Sequence, residues 1–133
     1  DIIMHYQSIG RITSKVWQNV NIIRLHKFTD TVKRHKHKFE DKFEYLSLAE
    51  LIINKRYEEG DKHFFLYADI DDEKIYGNFT DEEYDNAANT FLQNNYSNIV
   101  APLLKSRDER GRKTHSPHTA ISEAKKRLLT YKK

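Results

Sequence analysis

In residues 63–92 the chain reads HFFLYADIDDEKIYGNFTDEEYDNAANTFL. Residues 63–70 and 74–79 are rich in aromatic and β-branched side chains, which favour strands. Asp71 and Asp72 stand between these segments, and aspartates are common in turns. The two segments are therefore predicted to pair as a β-hairpin. The residues predicted to share its buried face are Phe64, Leu66, Ala68, Ile70, Ile75 and Phe79.

A helix is predicted to follow the hairpin directly. Thr80 and Glu83 have the spacing of a capping box, in which each side chain accepts a hydrogen bond from the other residue's backbone N–H. Phe79 and Tyr84 stand at the positions of a hydrophobic staple around that box. Helical spacing of apolar residues then continues as far as residues 94–95. The predicted buried stripe is Tyr84, Ala87, Ala88, Phe91 and Leu92.

The same start signal occurs upstream at Ser47. Glu50 follows three residues later, and Leu46 and Leu51 occupy the staple positions. The pattern predicts a helix that is capped by Ser47 and ends near Gly60, because glycine readily adopts the left-handed conformation found beyond helix C termini.

The N-terminal part of the chain permits two interpretations. Apolar residues at helical spacing predict a helix over residues 2–27. Val20, Ile22 and Arg24 could instead alternate as a strand, so the second half of this segment stays open. Thr29 or Asp30 is predicted to cap a further helix. Its predicted buried face is Val32, Phe39, Phe43 and Leu46.

The C-terminal part combines an ambiguous segment, a polar loop and a helix. Residues 96–104 are ambiguous because Pro102 interrupts an otherwise apolar pattern. Ser116 is predicted to cap the last helix, with Pro117 at its first position, where a missing N–H costs nothing. The predicted buried stripe of this helix is Ala120, Ala124, Leu128 and Tyr131.

Together these patterns predict an α+β fold that is mostly α, with about four to five helices and one β-hairpin. A chain of 133 residues fits one compact domain over residues 1–133. We name residues 105–118 the basic loop, which is predicted to connect to the C-terminal helix. The chain has no cysteine, which excludes disulfides, thiol catalysis and thiolate metal sites.

Charge is segregated along the chain, although the formal net charge is only +3. Residues 1–42 carry nine Lys or Arg against four Asp or Glu, and residues 105–133 carry ten against three. Residues 43–104 carry four against thirteen. The basic ends either fold back onto the acidic middle or form a surface for an anionic macromolecule.

The basic-surface interpretation predicts a non-enzymatic binding or regulatory domain that engages nucleic acid or another polyanion. Arg and Lys neutralise phosphates without reading sequence. Two patches are candidates, one in the N-terminal part and one in the basic loop and last helix. The predicted contact residues are Lys33, Arg34, Lys36, Lys38, Lys105, Arg107, Arg110, Arg112, Lys113, Lys125, Lys126 and Arg127.

Catalytic and metal chemistry have little support in the sequence. The seven histidines lack the ligand spacing of a helical metal site, and the acidic cluster at residues 69–73 lacks the spacing of an EF-hand loop. No nucleophile elbow or phosphate loop occurs. We therefore predict no cofactor, no metal and no catalytic residue. The enzymatic alternative is a metal-free acid–base enzyme that uses His63 or His115 with a nearby carboxylate.

The predicted order of elements is similar to that of winged-helix DNA-binding proteins. Residues 48–58 would then be the recognition helix and residues 63–79 the wing, with Lys55 and Arg56 facing DNA. The acidic tip at residues 71–73 argues against such a wing, because phosphates would repel it.

A different class of function is protein interaction, as a regulator, inhibitor or sensor domain of a larger or membrane-anchored protein. The acidic middle, residues 43–104, would then bind a basic partner. A homodimer interface built by the terminal helices belongs instead to the winged-helix interpretation, where it would give two DNA half-sites by symmetry. No segment approaches the roughly 20 apolar residues of a membrane helix. The sequence leaves the compartment open and slightly favours a cytoplasmic location.

Overall fold

The computed structural model describes residues 3–6 as backbone, and residues 21–27, 31–33 and 42–132 with their side chains. Within these ranges the protein is α+β, and helices account for the larger share of the residues. The elements are β1 (Ile3–Tyr6), β2 (Ile22–Leu25), α1 (Phe43–Glu58), β3 (Leu66–Asp69), β4 (Lys74–Gly77), α2 (Asp81–Asn94), α3 (Tyr96–Lys105) and α4 (Pro117–Leu129).

The strands form one sheet in the order β1-β2-β3-β4. β3 and β4 form the predicted hairpin, and β2 pairs antiparallel to β3. β1 pairs parallel to β2. Side chains alternate across a strand, so one face of the sheet lies on the core. The buried residues of that face are Ile23, Leu25, Leu66, Ala68 and Ile75.

The helix predicted over residues 2–27 is wrong where the structure describes it, since β1 and β2 lie there instead. In β2, Ile23 and Leu25 are buried, whereas Ile22 and Arg24 are half-buried. This period of two is the strand alternative seen in the sequence. The rest of residues 2–27, and the caps proposed at Thr29 or Asp30, lie outside the described residues.

The helix start predicted at Ser47 is also wrong. α1 begins at Phe43, and Ser47 is a buried residue of its second turn. Glu50 has a different role, because its carboxylate accepts a hydrogen bond from the backbone N–H of Val32 at 2.9 Å. Glu50 therefore ties the segment at residues 31–33 to α1. The predicted stop is confirmed, since α1 ends at Glu58, just before Gly60 with φ +102°.

The start of α2 is confirmed in detail. The N–H of Glu83 donates to Thr80 Oγ1 at 3.1 Å, and the N–H of Thr80 donates to Glu83 Oε1 at 3.0 Å. The rings of Phe79 and Tyr84 stack with centroids 5.9 Å apart. The predicted stripe from Tyr84 to Leu92 is buried, and α2 ends at Asn94.

Replacing Thr80 with Ala should lower the free energy of unfolding by about 1 kcal/mol, because a side-chain cap of α2 is lost. Ser47→Ala is the matched control, since Ser47 has the same sequence context but caps nothing. It should be neutral or slightly stabilising, because alanine is the better helix former. Thermal unfolding of both variants checks this. Equal losses would contradict the positions of the two helix starts.

The C-terminal helices complete the core. The ambiguous residues 96–104 form α3, which contains Pro102. Ser116 caps α4 with Pro117 at its first position, as predicted, and the stripe Ala120, Ala124 and Leu128 is buried. The hydroxyl of Tyr84 donates to the backbone oxygen of Leu128, which joins α2 to α4. Burial raises the pKa of Tyr84, so this hydroxyl stays a donor.

An ion pair joins the end of α1 to the start of α2. Arg56 donates twice to the carboxylate of Glu83, once from Nη2 at 2.7 Å, and also to the backbone oxygen of Asn78 at 2.9 Å. Its guanidinium lies 4.7 Å from the ring centroid of Phe64. Hydrogen bonds from Arg56 and from the backbone of Thr80 lower the pKa of Glu83 to about 2.

This pKa shift makes the Arg56–Glu83 pair sensitive to acid. A carboxyl group whose folded pKa lies below its unfolded value of 4.5 stabilises the fold above that pH. The contribution is lost as the pH falls from 4.5 towards 2. Glu83→Gln should therefore be less stable than the parent at pH 7, and the difference should shrink across that window. Melting temperatures over the window test this, with the exposed neighbour in Glu82→Gln as control. A constant difference would contradict it.

The winged-helix interpretation stays a prediction, and one of its two proposed DNA contacts has an acidic partner within the protein. Strands β1 and β2 join the hairpin in one sheet, and α1 is the helix described between β2 and β3. Arg56, which would face DNA in that arrangement, is held by Glu83.

Candidate nucleic-acid interface

The basic loop folds as a short hairpin between α3 and α4. Arg107 and Lys113 pair across it, and the N–H of Thr114 donates to the oxygen of Ser106 at 3.3 Å. Asp108 organises the turn, because its Oδ1 accepts from the backbone N–H groups of Arg110 and Arg112, both at 2.9 Å.

The tip of the loop needs a glycine. Gly111 has φ +78°, in the left-handed region that other residues adopt at a cost. Its N–H donates to the backbone oxygen of Asp108 at 2.9 Å. The turn is therefore specified by Asp108 and Gly111 through hydrogen bonds to backbone groups.

The cations of the loop have different roles. Arg107 donates to the backbone oxygens of Leu104 and Ser106, both at 3.1 Å, and so closes the end of α3. Arg112 is 69% exposed and lies 3.5 Å from the carboxylate of Asp108. Arg110 and Lys113 are exposed and have no acidic partner within residues 42–132. The accessible charge of the loop is therefore concentrated at its tip.

On α4, two of the three predicted contact residues form ion pairs with acidic side chains. Lys125 lies 2.8 Å from Asp85, and Arg127 lies 2.8 Å from Glu44. Lys126 between them is exposed and has no ion-pair partner in the part of the chain that the structure describes. Of the two interpretations of the basic ends, pairing with the acidic middle holds for Lys125 and Arg127, and a surface for an anionic macromolecule stays a prediction. Lys125 and Arg127 neutralise the acidic helices, whereas Lys126 and the loop tip project outward.

Of the other five predicted contact residues, two are exposed and three lie outside the described residues. Lys105 ends α3 and is exposed, and Lys33 is exposed beside the buried Val32. Arg34, Lys36 and Lys38 lie outside the described residues, so the N-terminal patch stays a prediction.

The base of the loop contains the histidine considered for catalysis. His115 shares one hydrogen bond with Thr114 Oγ1 at 2.9 Å and another with the carboxylate of Glu123. These contacts fasten the loop to α4. His63 is exposed and has no hydrogen-bond or ion-pair partner among the described residues. Across the same residues, no group of three or more His, Asp or Glu is arranged to hold a metal ion.

A second feature, which sequence reasoning missed, lies on the outer face of the sheet. We name Arg24, Phe65, Tyr67 and Tyr76 the aromatic row. The Arg24 guanidinium lies 4.2 Å from the ring centroid of Phe65 and 5.4 Å from that of Tyr67. It also donates to the Tyr67 hydroxyl at 2.9 Å. The sequence feature that could have predicted this row is the alternation of Phe65 and Tyr67 with the buried residues of the hairpin.

The acidic middle forms a groove of about 800 Å³ between α1 and α2. Its charged lining includes Glu58, Glu59 and Glu82 together with the single cation Lys55, and amide side chains such as Asn86 and Asn89 line its wall. This groove is the surface that the protein-interaction alternative requires. Its chemistry suits a basic segment of a partner protein.

Comparison of the chain with protein-family models, with curated proteins and with solved structures finds no match. No helix in the described ranges has the length and apolar character needed to cross a membrane.

Proposed function

We propose that this protein binds nucleic acid, or a polyanion of similar charge density, through the tip of the basic loop, without catalysing a reaction. The observation that carries the proposal is the Asp108-organised turn, which holds Arg110, Arg112 and Lys113 at an exposed tip. Lys105 and Lys126 are exposed cations on the helices that flank the loop.

The mechanism is electrostatic. Each cation that neutralises a phosphate releases a condensed counterion, which favours binding at low salt. Arg110 and Arg112 present guanidinium groups, which match phosphate oxygens with two parallel hydrogen bonds. Because hydrogen bonds already fix the backbone of the turn, little ordering of the loop backbone is required on binding.

A salt titration tests the proposal. Binding of labelled mixed-sequence DNA and RNA, single- and double-stranded, is followed by fluorescence anisotropy from about 50 to about 200 mM salt. The logarithm of the association constant should fall linearly with the logarithm of salt concentration. An absence of binding at the lowest salt would overturn the proposal.

Such an absence would favour the second candidate function, protein interaction through the acidic groove between α1 and α2. The observation behind this candidate is the group of carboxylates at Glu58, Glu59 and Glu82 in the lining of the groove. The basic loop would then serve to hold the ends of α3 and α4 together.

A further inference from the structure

The aromatic row crosses three strands of the sheet. In the strand register, Arg24 on β2 is opposite Tyr67 on β3, and Tyr67 is opposite Tyr76 on β4. Directly opposed side chains lie on the same face of a sheet. Ala68 and Ile75 alternate with these residues and face the core, so the row lies on the opposite face.

The rings of the row are arranged in contact with one another. Tyr67 and Tyr76 stack with centroids 5.2 Å apart and planes 21° apart. Phe65 meets Tyr67 edge to face at 5.7 Å. The three rings are half-buried, and the described helices pack on the other face of the sheet. Each ring therefore keeps part of its surface outside the core.

The charge of the row suits an anionic, ring-bearing ligand. The Arg24 guanidinium donates once to Tyr67, its Nε–H is buried without an acceptor, and its other Nη N–H groups have no acceptor among the described residues. The row contains this cation and no carboxylate. Nucleobases stack on tyrosine rings and on guanidinium planes, and they offer acceptors to arginine.

We infer that the aromatic row stacks the bases of a single-stranded nucleic acid whose phosphates contact the basic loop. The inference rests on the proposed function and names its ligand class. A duplex is a poor ligand for this face, because its bases already stack on each other.

The fold connects the two surfaces through α4. This helix starts at the basic loop, and the residues that follow it reach the sheet, where the N–H of Ile75 on β4 donates to the oxygen of Tyr131 at 2.7 Å. Its 13 residues span about 20 Å. Lys126 is an exposed cation along this path. Tyr76, next to Ile75, is the ring of the row nearest to that end of α4 in the strand order.

Two probes of equal length separate stacking from charge: an oligothymidine strand, and an abasic strand with the same phosphates but no bases. The parent chain should bind the oligothymidine at least about fivefold more tightly, given typical base–aromatic stacking. The double variant Tyr67→Leu/Tyr76→Leu should lose this preference and keep its salt dependence, since it retains the basic loop. Tyr96→Leu is the control, because Tyr96 is an exposed tyrosine at the start of α3.

The outcomes distinguish the two proposals. Equal binding of both strands by the parent chain, or an unchanged preference in the double variant, would overturn the stacking inference alone. No binding of either strand would overturn the proposed function as well. Should the double variant unfold, Tyr76→Leu on β4 replaces it, and the comparison of the two strands on the parent chain needs no variant.

Discussion

Arg110→Ala/Arg112→Ala/Lys113→Ala is expected to bind nucleic acid about tenfold more weakly, or worse, near 0.1 M salt. Three cations leave the exposed tip, while Asp108 and Gly111 keep the turn, since their hydrogen bonds run to backbone groups. The slope of log K against log salt should become shallower by about 2–3, because up to three fewer phosphates are neutralised. Anisotropy titrations at several salt concentrations measure both quantities.

A control variant separates this effect from a change in net charge. Lys55→Ala/Lys62→Ala removes two exposed cations from the end of α1 and the segment after it, away from the basic loop in sequence. Its salt slope should stay close to that of the parent chain. If the triple variant keeps the parental affinity and slope, the basic loop does not contact phosphates.

Phe91→Ala is expected to cost about 3–5 kcal/mol of unfolding free energy, the largest stability effect we anticipate. The Phe91 side chain is 1% exposed, and its ring lies 5.9 Å from that of Phe43 on α1. Removing it leaves a cavity between α1 and α2 that neighbouring rigid helices can fill only in part. The loss is a large share of the 5–15 kcal/mol that typical domains possess.

Urea unfolding measures this loss, with Tyr96→Ala as the control on the next helix. Tyr96 is 42% exposed, so its truncation should change stability by no more than about 0.5 kcal/mol. A similar small effect at Phe91 would mean that α2 does not pack on α1 as described.

Elements that depend on neighbours in sequence were predictable. The hairpin of β3 and β4 and the start of α2 are formed by contacts between residues that are close in sequence. The capping box of Thr80 and Glu83, for example, can be recognised from the local sequence alone. The same is true of Ser116 and Pro117 at α4. In these segments local propensity and the final fold agree.

Elements that depend on distant partners were not predictable. The short apolar pattern of β2 fits a helix nearly as well as a strand. β2 is a strand because it pairs with β3, which lies more than 40 residues later in the chain. Ser47 was misassigned for a related reason. Its partner Glu50 bonds to Val32, outside the helix, and no local rule identifies that contact.

In the candidate interface too, local features were predictable from the sequence and features that depend on distant partners were not. Exposure of the basic loop followed from its composition. The pairing of Lys125 with Asp85 and of Arg127 with Glu44 did not, because it depends on how α4 crosses α2 and α1. The aromatic row was missed because two of its members, Arg24 and Tyr67, come from strands far apart in sequence.

The segment after α4 also determines how the sheet meets other molecules. An unpaired outer strand attracts strands of other chains and so promotes aggregation. Tyr131 and Lys132 run beside β4, and the oxygen of Tyr131 occupies the N–H of Ile75. The segment after α4 therefore covers part of this edge of the sheet. Damage to the packing of α4 is therefore expected to expose this edge and to favour aggregation.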